Sequence, residues 1–124
     1  MKQTTTFKKR KDMPRQPLEN CHDGKGALDW TVVLDGDDLK EGGLNFVHDD
    51  ILPPGVSIGN HRHDTDEEYY YILSGKGVMT LDQERVEVTG GDITAVYPGG
   101  VHGLENTGNE DLHIFVFSVQ HKTI

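Results

Sequence analysis

Glycine recurs fifteen times in this 124-residue chain, and it recurs inside turn clusters. Asp35-Gly36-Asp37-Asp38, Pro53-Pro54-Gly55, Ser74-Gly75, Gly90-Gly91-Asp92 and Pro98-Gly99-Gly100 each end whatever precedes them. The pieces between are short and rich in β-branched and aromatic residues. They run over Ala27–Leu34, Leu44–Leu52, 56–63, 68–73, 78–81, 85–88, 93–97, Val101–Glu105 and 112–119. No window of about 11 residues carries a helical apolar period. About nine strands with turn signals every ~8–12 residues are expected to close into an all-β sandwich or barrel. Residues 1–20 have no apolar period, and Pro14 and Pro17 oppose a long helix, so an extended N-terminal arm is expected before a single barrel domain over 21–124.

Charge narrows the class of partner. Residues 1–15 hold six Lys or Arg and one acid, whereas 16–124 hold six basic and 20 acidic residues, for a net charge of -9. A body this acidic repels a phosphate backbone, so no nucleic-acid partner is expected; the basic arm is expected to be solvated or to lie on the acidic body of its own or a neighbouring subunit, the alternative being contact with an anionic surface. Cys21, the single cysteine, excludes an internal disulfide and any multi-cysteine metal cluster. No apolar run approaches the ~20 residues of a membrane span, and no apolar leader follows Met1, so a cytoplasmic protein without a membrane partner is expected.

His61 and His63 are two apart on an expected strand, which puts both rings on one face. Glu68 opens the next strand, and a hairpin would fold it back beside them. His102 follows the turn at Pro98-Gly99-Gly100. Three imidazoles and a carboxylate suit one borderline divalent transition ion: Mn, Fe, Zn, Ni or Co. Taken alone, a His-x-His pair is also common as mere polar decoration of a strand.

The surrounding glycines distinguish the two. Gly55-x5-His61-x-His63-x4-Glu68-x6-Gly75 resembles the first motif of the cupin family throughout. Gly91-x5-Tyr97-x-Gly99-x2-His102-x3-Asn106 resembles the second, with Tyr97 where that motif carries proline and Pro98 one place later. The resemblance implies a double-stranded β-helix, a jelly-roll-like barrel. It also implies a metal bound by His61, His63, Glu68 and His102. The departure at Tyr97 touches local backbone and no ligand.

Neighbouring residues extend the reading. Glu67 is expected to face outward, since Glu68 alone keeps the six-residue spacing to Gly75. Tyr70 shares the Glu68 face and is a catalytic candidate, the alternative being a barrel tyrosine bonded to backbone. His48, on the strand before the first motif, is a second candidate, the alternative being a structural histidine. Asn106 is expected to fix its turn. The run 112–119 is apolar on both faces: Leu112, Ile114 and Val116 can fill the barrel, while His113, Phe115 and Phe117 then need cover. A second subunit is the expected cover, giving a homodimer, and the N-terminal segment is the alternative. Cys21-His22 reads as a turn, the alternative being a weak metal pair without partners in the sequence, and Gly24-Lys25-Gly26 lacks phosphate-loop spacing.

Two functions fit. One is a small metalloenzyme acting on an oxygen-rich substrate (a sugar, keto acid or carboxylic acid) by isomerisation, decarboxylation or dioxygenation, as the resemblance implies. The other is a non-catalytic, metal-dependent binding or sensor module for a small molecule.

Overall fold

A computed structural model describes residues 4–122. Lys2 of the basic arm and the last two residues of the barrel segment lie outside the described residues. Ten strands follow in order: β1 (Arg15–Glu19), β2 (Ala27–Leu34), β3 (Leu44–Leu52), β4 (Ser57–Arg62), β5 (Asp66–Ser74), β6 (Lys76–Leu81), β7 (Glu84–Thr89), β8 (Ile93–Val96), β9 (Val101–Glu105) and β10 (Leu112–Gln120). They form two antiparallel sheets, ordered β1-β2-β3-β10-β5-β8 and β4-β9-β6-β7. The last long strand inserts between β3 and β5, and β9 inserts between β4 and β6. The chain therefore winds back and forth between the sheets, which is the double-stranded β-helix. Among the described residues no helix is long and apolar enough to cross a membrane.

Alternation decides the core. On β10, Leu112, Ile114, Val116 and Ser118 are all at most 3% exposed. They point inward beside Leu52 of β3 and Ile72 of β5, while Met79 and Leu104 contribute from the second sheet. Each such apolar side chain stabilises the barrel by about 1.5–3 kcal/mol through burial. Register then carries inward positions across the sheet. Val116 pairs with His48 on one side and Tyr70 on the other, and Ser118 pairs with Glu68. The face that fills the barrel with Leu112 and Ile114 thus also aims Tyr70 and Glu68 inside.

Turn chemistry closes the frame. Gly75 has φ +90°, and a Cβ there would sit 2.4 Å from the Asp111 carbonyl oxygen, so no other residue fits. Asn106, 2% exposed, donates from Nδ2 to the carbonyls of Leu52 and Glu110, both at 2.8 Å, and accepts from the Gly108 N–H at 2.9 Å. It fixes its own 106–110 turn and ties that turn to the end of β3.

Nine strands are legible in the sequence and ten are present. The additional one, β1, occupies the last part of the 1–20 arm. Its sequence Arg-Gln-Pro-Leu-Glu is polar and contains Pro17, which suits only a sheet edge. It pairs with β2 from Arg15↔Thr31 to Glu19↔Ala27. The basic residues before and within it lie against the acidic body: Lys8 with Asp38 at 2.9 Å, Arg10 with Asp49 at 3.2 Å, and Arg15 with Asp29.

One interior group is out of place in an apolar barrel. Asp50 on β3 is 6% exposed, and its Oδ1 has no partner among the described residues. Burial, with the Asp49 charge adding, pushes its carboxyl from 3.8 up to about 8. The folded chain thus keeps a proton that the unfolded chain loses near its ordinary value. Stability contributed by that proton is complete below the unfolded value and is lost as pH rises through the folded one. Asp50→Asn should flatten the fall in metal-free stability between about pH 4 and about pH 8, and should stabilise the chain at the upper end by on the order of a few kcal/mol. Urea unfolding across that range checks it. An unchanged slope would mean that Asp50 is ionised in the folded barrel.

Candidate metal centre

The four residues singled out by spacing come from three elements and a turn. His61 is on β4 and His102 on β9, directly paired across the ladder. His63 stands one residue past β4, but its backbone still pairs with the 98–100 turn: its N–H donates to the Gly100 carbonyl at 3.0 Å, and its carbonyl accepts from Gly99 at 2.8 Å. Glu68 projects inward from β5. Their ligand atoms all lie within 4.8 Å of one another.

The arrangement cannot be satisfied by hydrogen bonds alone. His102 Nε2 lies 3.1 Å from His61 Nε2, 3.1 Å from His63 Nε2 and 3.0 Å from Glu68 Oε1. One ring nitrogen carries at most one proton, so it can serve only one of three such neighbours. A shared cation serves all of them. Nitrogens bound at right angles to one ion at ~2.1 Å stand ~3 Å apart, close to the spacing here. The donor set therefore fits a divalent transition ion.

The outward-facing nitrogens of His61 and His63 are held as well. His61 Nδ1 donates to the Gly59 carbonyl at 2.8 Å. His63 Nδ1 lies 2.8 Å from Asp66 Oδ1, and Asp66 Oδ2 accepts from the Ser118 hydroxyl at 2.6 Å. Asn45 Nδ2 donates in turn to Ser118 Oγ at 3.0 Å. Such anchoring fixes ring orientation and leaves Nε2 as the ligating atom. His102 Nδ1 is buried without a partner among the described residues, and its ring is held by packing at 0% exposure.

Electrostatics without an ion follow from the same contacts. Burial pushes the Glu68 carboxyl up, but hydrogen bonds from His102 and His63 outweigh it and hold it down to about 2. The Glu68 hydrogen bond lifts His63 to about 9 against burial, with Asp66 adding. Burial lowers His61 to about 4, partly offset by the Gly59 carbonyl.

Tyr70 is 4% exposed, and its ring lies 4.7 Å from that of His102. Burial first, then the Glu68 charge, pushes its phenol well above 10. His48 is half-buried on the same inward face, stacked on Phe46 at 4.2 Å and edge-on to Trp30 at 5.4 Å. Burial lowers its pKa against the pull of Glu68. Glu67 stays outside the cluster, accepting from Tyr69 at 2.8 Å and pairing with His121 at 2.8 Å.

Two neighbours of the cluster are not among the sequence candidates. Asp66 reads as one more acid in the 64–67 loop. The available signal is a carboxylate three residues after a ligand-like histidine. His22 reads as part of a turn, yet its ring stacks on His61 with centroids 3.6 Å apart. No local pattern brings residue 22 to residue 61.

Comparison with known proteins agrees with this geometry. The family model described as "Cupin domain" matches residues 49–118. An oxalate-binding protein of Thermotoga maritima is 36% identical over 95 residues, which is 77% of this chain and 78% of that protein. An uncharacterised protein of Methanocaldococcus jannaschii is 47% identical over 68 residues, covering 55% of this chain and 54% of that one. Among solved structures, a predicted oxalate decarboxylase from Thermotoga maritima superposes with TM-score 0.87 at 28% identity, over 94% of this chain and all of the other. With the double-stranded β-helix, both motifs and a converging group of three histidines and one glutamate in place, the chain belongs to the cupin family.

Proposed function

We propose that His61, His63, Glu68 and His102 would hold one divalent transition metal, of the set Mn, Fe, Zn, Ni or Co, and that the chain so loaded binds a small, oxygen-rich carboxylate ligand of the oxalate type. The observation that carries the metal reading is the convergence of three Nε2 atoms and one carboxylate oxygen within 4.8 Å. The name of the oxalate-binding relative supports the ligand class. When bound, the ion would supply Lewis-acid polarisation of ligand oxygens.

The chain's own residues divide the remaining work. Asp66 orients His63, and the Ser118–Asn45 relay orients Asp66. Tyr70, buried with its ring 4.7 Å from that of His102, packs against the cluster from β5. Trp30, Phe46 and His48 line the interior beside it. His48, kept neutral by burial, is the proton acceptor we assign for turnover. On the enzyme reading, an isomerisation, decarboxylation or dioxygenation uses it. On the binding reading, the same residues only shape the surroundings of the centre.

Three outcomes follow. Asp66→Asn should weaken metal binding ~10–100-fold with the barrel intact, because the carboxylate anchor of a ligating histidine is lost. Metal titration of chelator-stripped protein measures it, and native affinity in the variant would remove Asp66 from the centre. His48→Gln should keep oxalate binding by the metal-loaded protein but lower any turnover ~100-fold or more. Product analysis with sugars, keto acids and dicarboxylates, with and without O₂, checks this. No turnover by the unaltered protein would leave the binding module as the function.

The third outcome concerns assembly. The outer faces of β10, β5 and β8 carry Phe117 stacked on Tyr69 at 4.9 Å, with Tyr97 at 54% and Ile93 at 58% exposure. The N-terminal segment lies along β2 and β3 through Lys8, Arg10 and Arg15, and reaches β10 only through Asp49, which pairs with both Arg10 and His113. We assign this aromatic face to a homodimer. Sedimentation at micromolar concentration should give twice the 13.8 kDa chain mass, and a clean monomer would refute the assignment.

A further inference from the structure

Asn20, His22 and Asp23 all have positive φ, of +50°, +50° and +64°. Glycine is the default occupant of that left-handed region, with Asn, Asp and His its commoner exceptions. The chain nevertheless places an imidazole at residue 22. A glycine there would ease the backbone and lose the ring.

The segment is seated closely on β4. A Cβ on Gly59 would stand 1.9 Å from the His22 carbonyl oxygen, and a Cβ on Gly24 would stand 2.1 Å from the Ser57 carbonyl oxygen. Glycine on both sides is what permits the approach. Cys21 packs against the core from the other direction. The result is a parallel stack of His22 on His61, with centroids 3.6 Å apart and planes 9° from parallel.

The stack complements the hydrogen bond already described. His61 Nδ1 is tied to the Gly59 carbonyl, which fixes one edge of the ring. His102 meets the ring edge-on at 4.7 Å on the cluster side, which leaves a ring face to be held. A second ring lying flat against the first holds that face. Gly59 thus serves both restraints: its carbonyl anchors His61, and its missing side chain admits the backbone of His22.

We propose that His22 is a positioning residue of the metal centre, whose ring holds the plane of His61 so that Nε2 faces the cluster. The proposal rests on the metal reading above and adds to it a residue outside both sequence motifs. Stacking acts through the ring face, so any planar aromatic ring of similar size should substitute.

The test compares the native chain with His22→Ala and His22→Phe. Metal-free protein is observed first, by the proton resonances of the His61 ring. A stacked neighbour shifts them upfield. The shift should vanish in His22→Ala and persist in His22→Phe. Cobalt(II) titration follows. His22→Ala should bind about threefold to tenfold more weakly, as expected for one lost aromatic pair, with an altered visible absorption spectrum. His22→Phe should restore both. Native affinity and an unchanged cobalt spectrum in His22→Ala would overturn the proposal. So would His22→Phe behaving as His22→Ala, since a ring nitrogen and not a ring face would then be at work. Failure of the native chain to bind cobalt would overturn the metal reading itself, and is distinguished by occurring before any variant is compared.

Discussion

One nitrogen organises this molecule. His102 Nε2 has two imidazole nitrogens and a carboxylate oxygen within 3.1 Å, and its ring has no exposure to solvent. Bringing four such groups together inside a barrel is unfavourable unless a cation joins them, because buried polar atoms need partners. The rest of the fold serves that convergence. The β4–β9 ladder sets His61 opposite His102, the 98–100 turn holds the backbone of His63, and β5 delivers Glu68 from the other sheet. The two sheets are thus joined at the site by side chains as well as by the apolar core.

The core and the centre share strands but occupy alternate levels along them. Leu112, Ile114 and Val116 fill one part of β10, and Ser118, two residues on, enters the polar relay through Asp66 to His63. A period of two makes this possible, since one inward face can pass from apolar to polar without disturbing the outward one. Asp50 is the exception, a carboxyl set among apolar side chains with one oxygen unpartnered among the described residues.

The four-residue group is legible in the sequence because family motifs fix spacing, and spacing on strands fixes facing. Gly75 and Asn106 are legible for the same reason: a steric limit and a three-way hydrogen bond leave little choice of residue. What stays hidden depends on distance in space without a local pattern. The strand β1 is polar and contains Pro17, so nothing in it alternates, and its place comes from pairing with β2. Asp66 is indistinguishable from Asp64 and Glu67 until the hairpin turns it toward His63. His22 meets His61 only because Gly24 and Gly59 permit contact between segments almost forty residues apart.

The central claim is that His61, His63, Glu68 and His102 are one ion's donors. X-ray absorption on the protein loaded with one equivalent of Mn or Co reads that donor set directly. The account predicts an inner shell of nitrogen and oxygen, with the outer scattering pattern of three imidazole rings, reduced by one ring in His102→Ala. An all-oxygen shell without imidazole scattering, or a spectrum unchanged in His102→Ala, would contradict it.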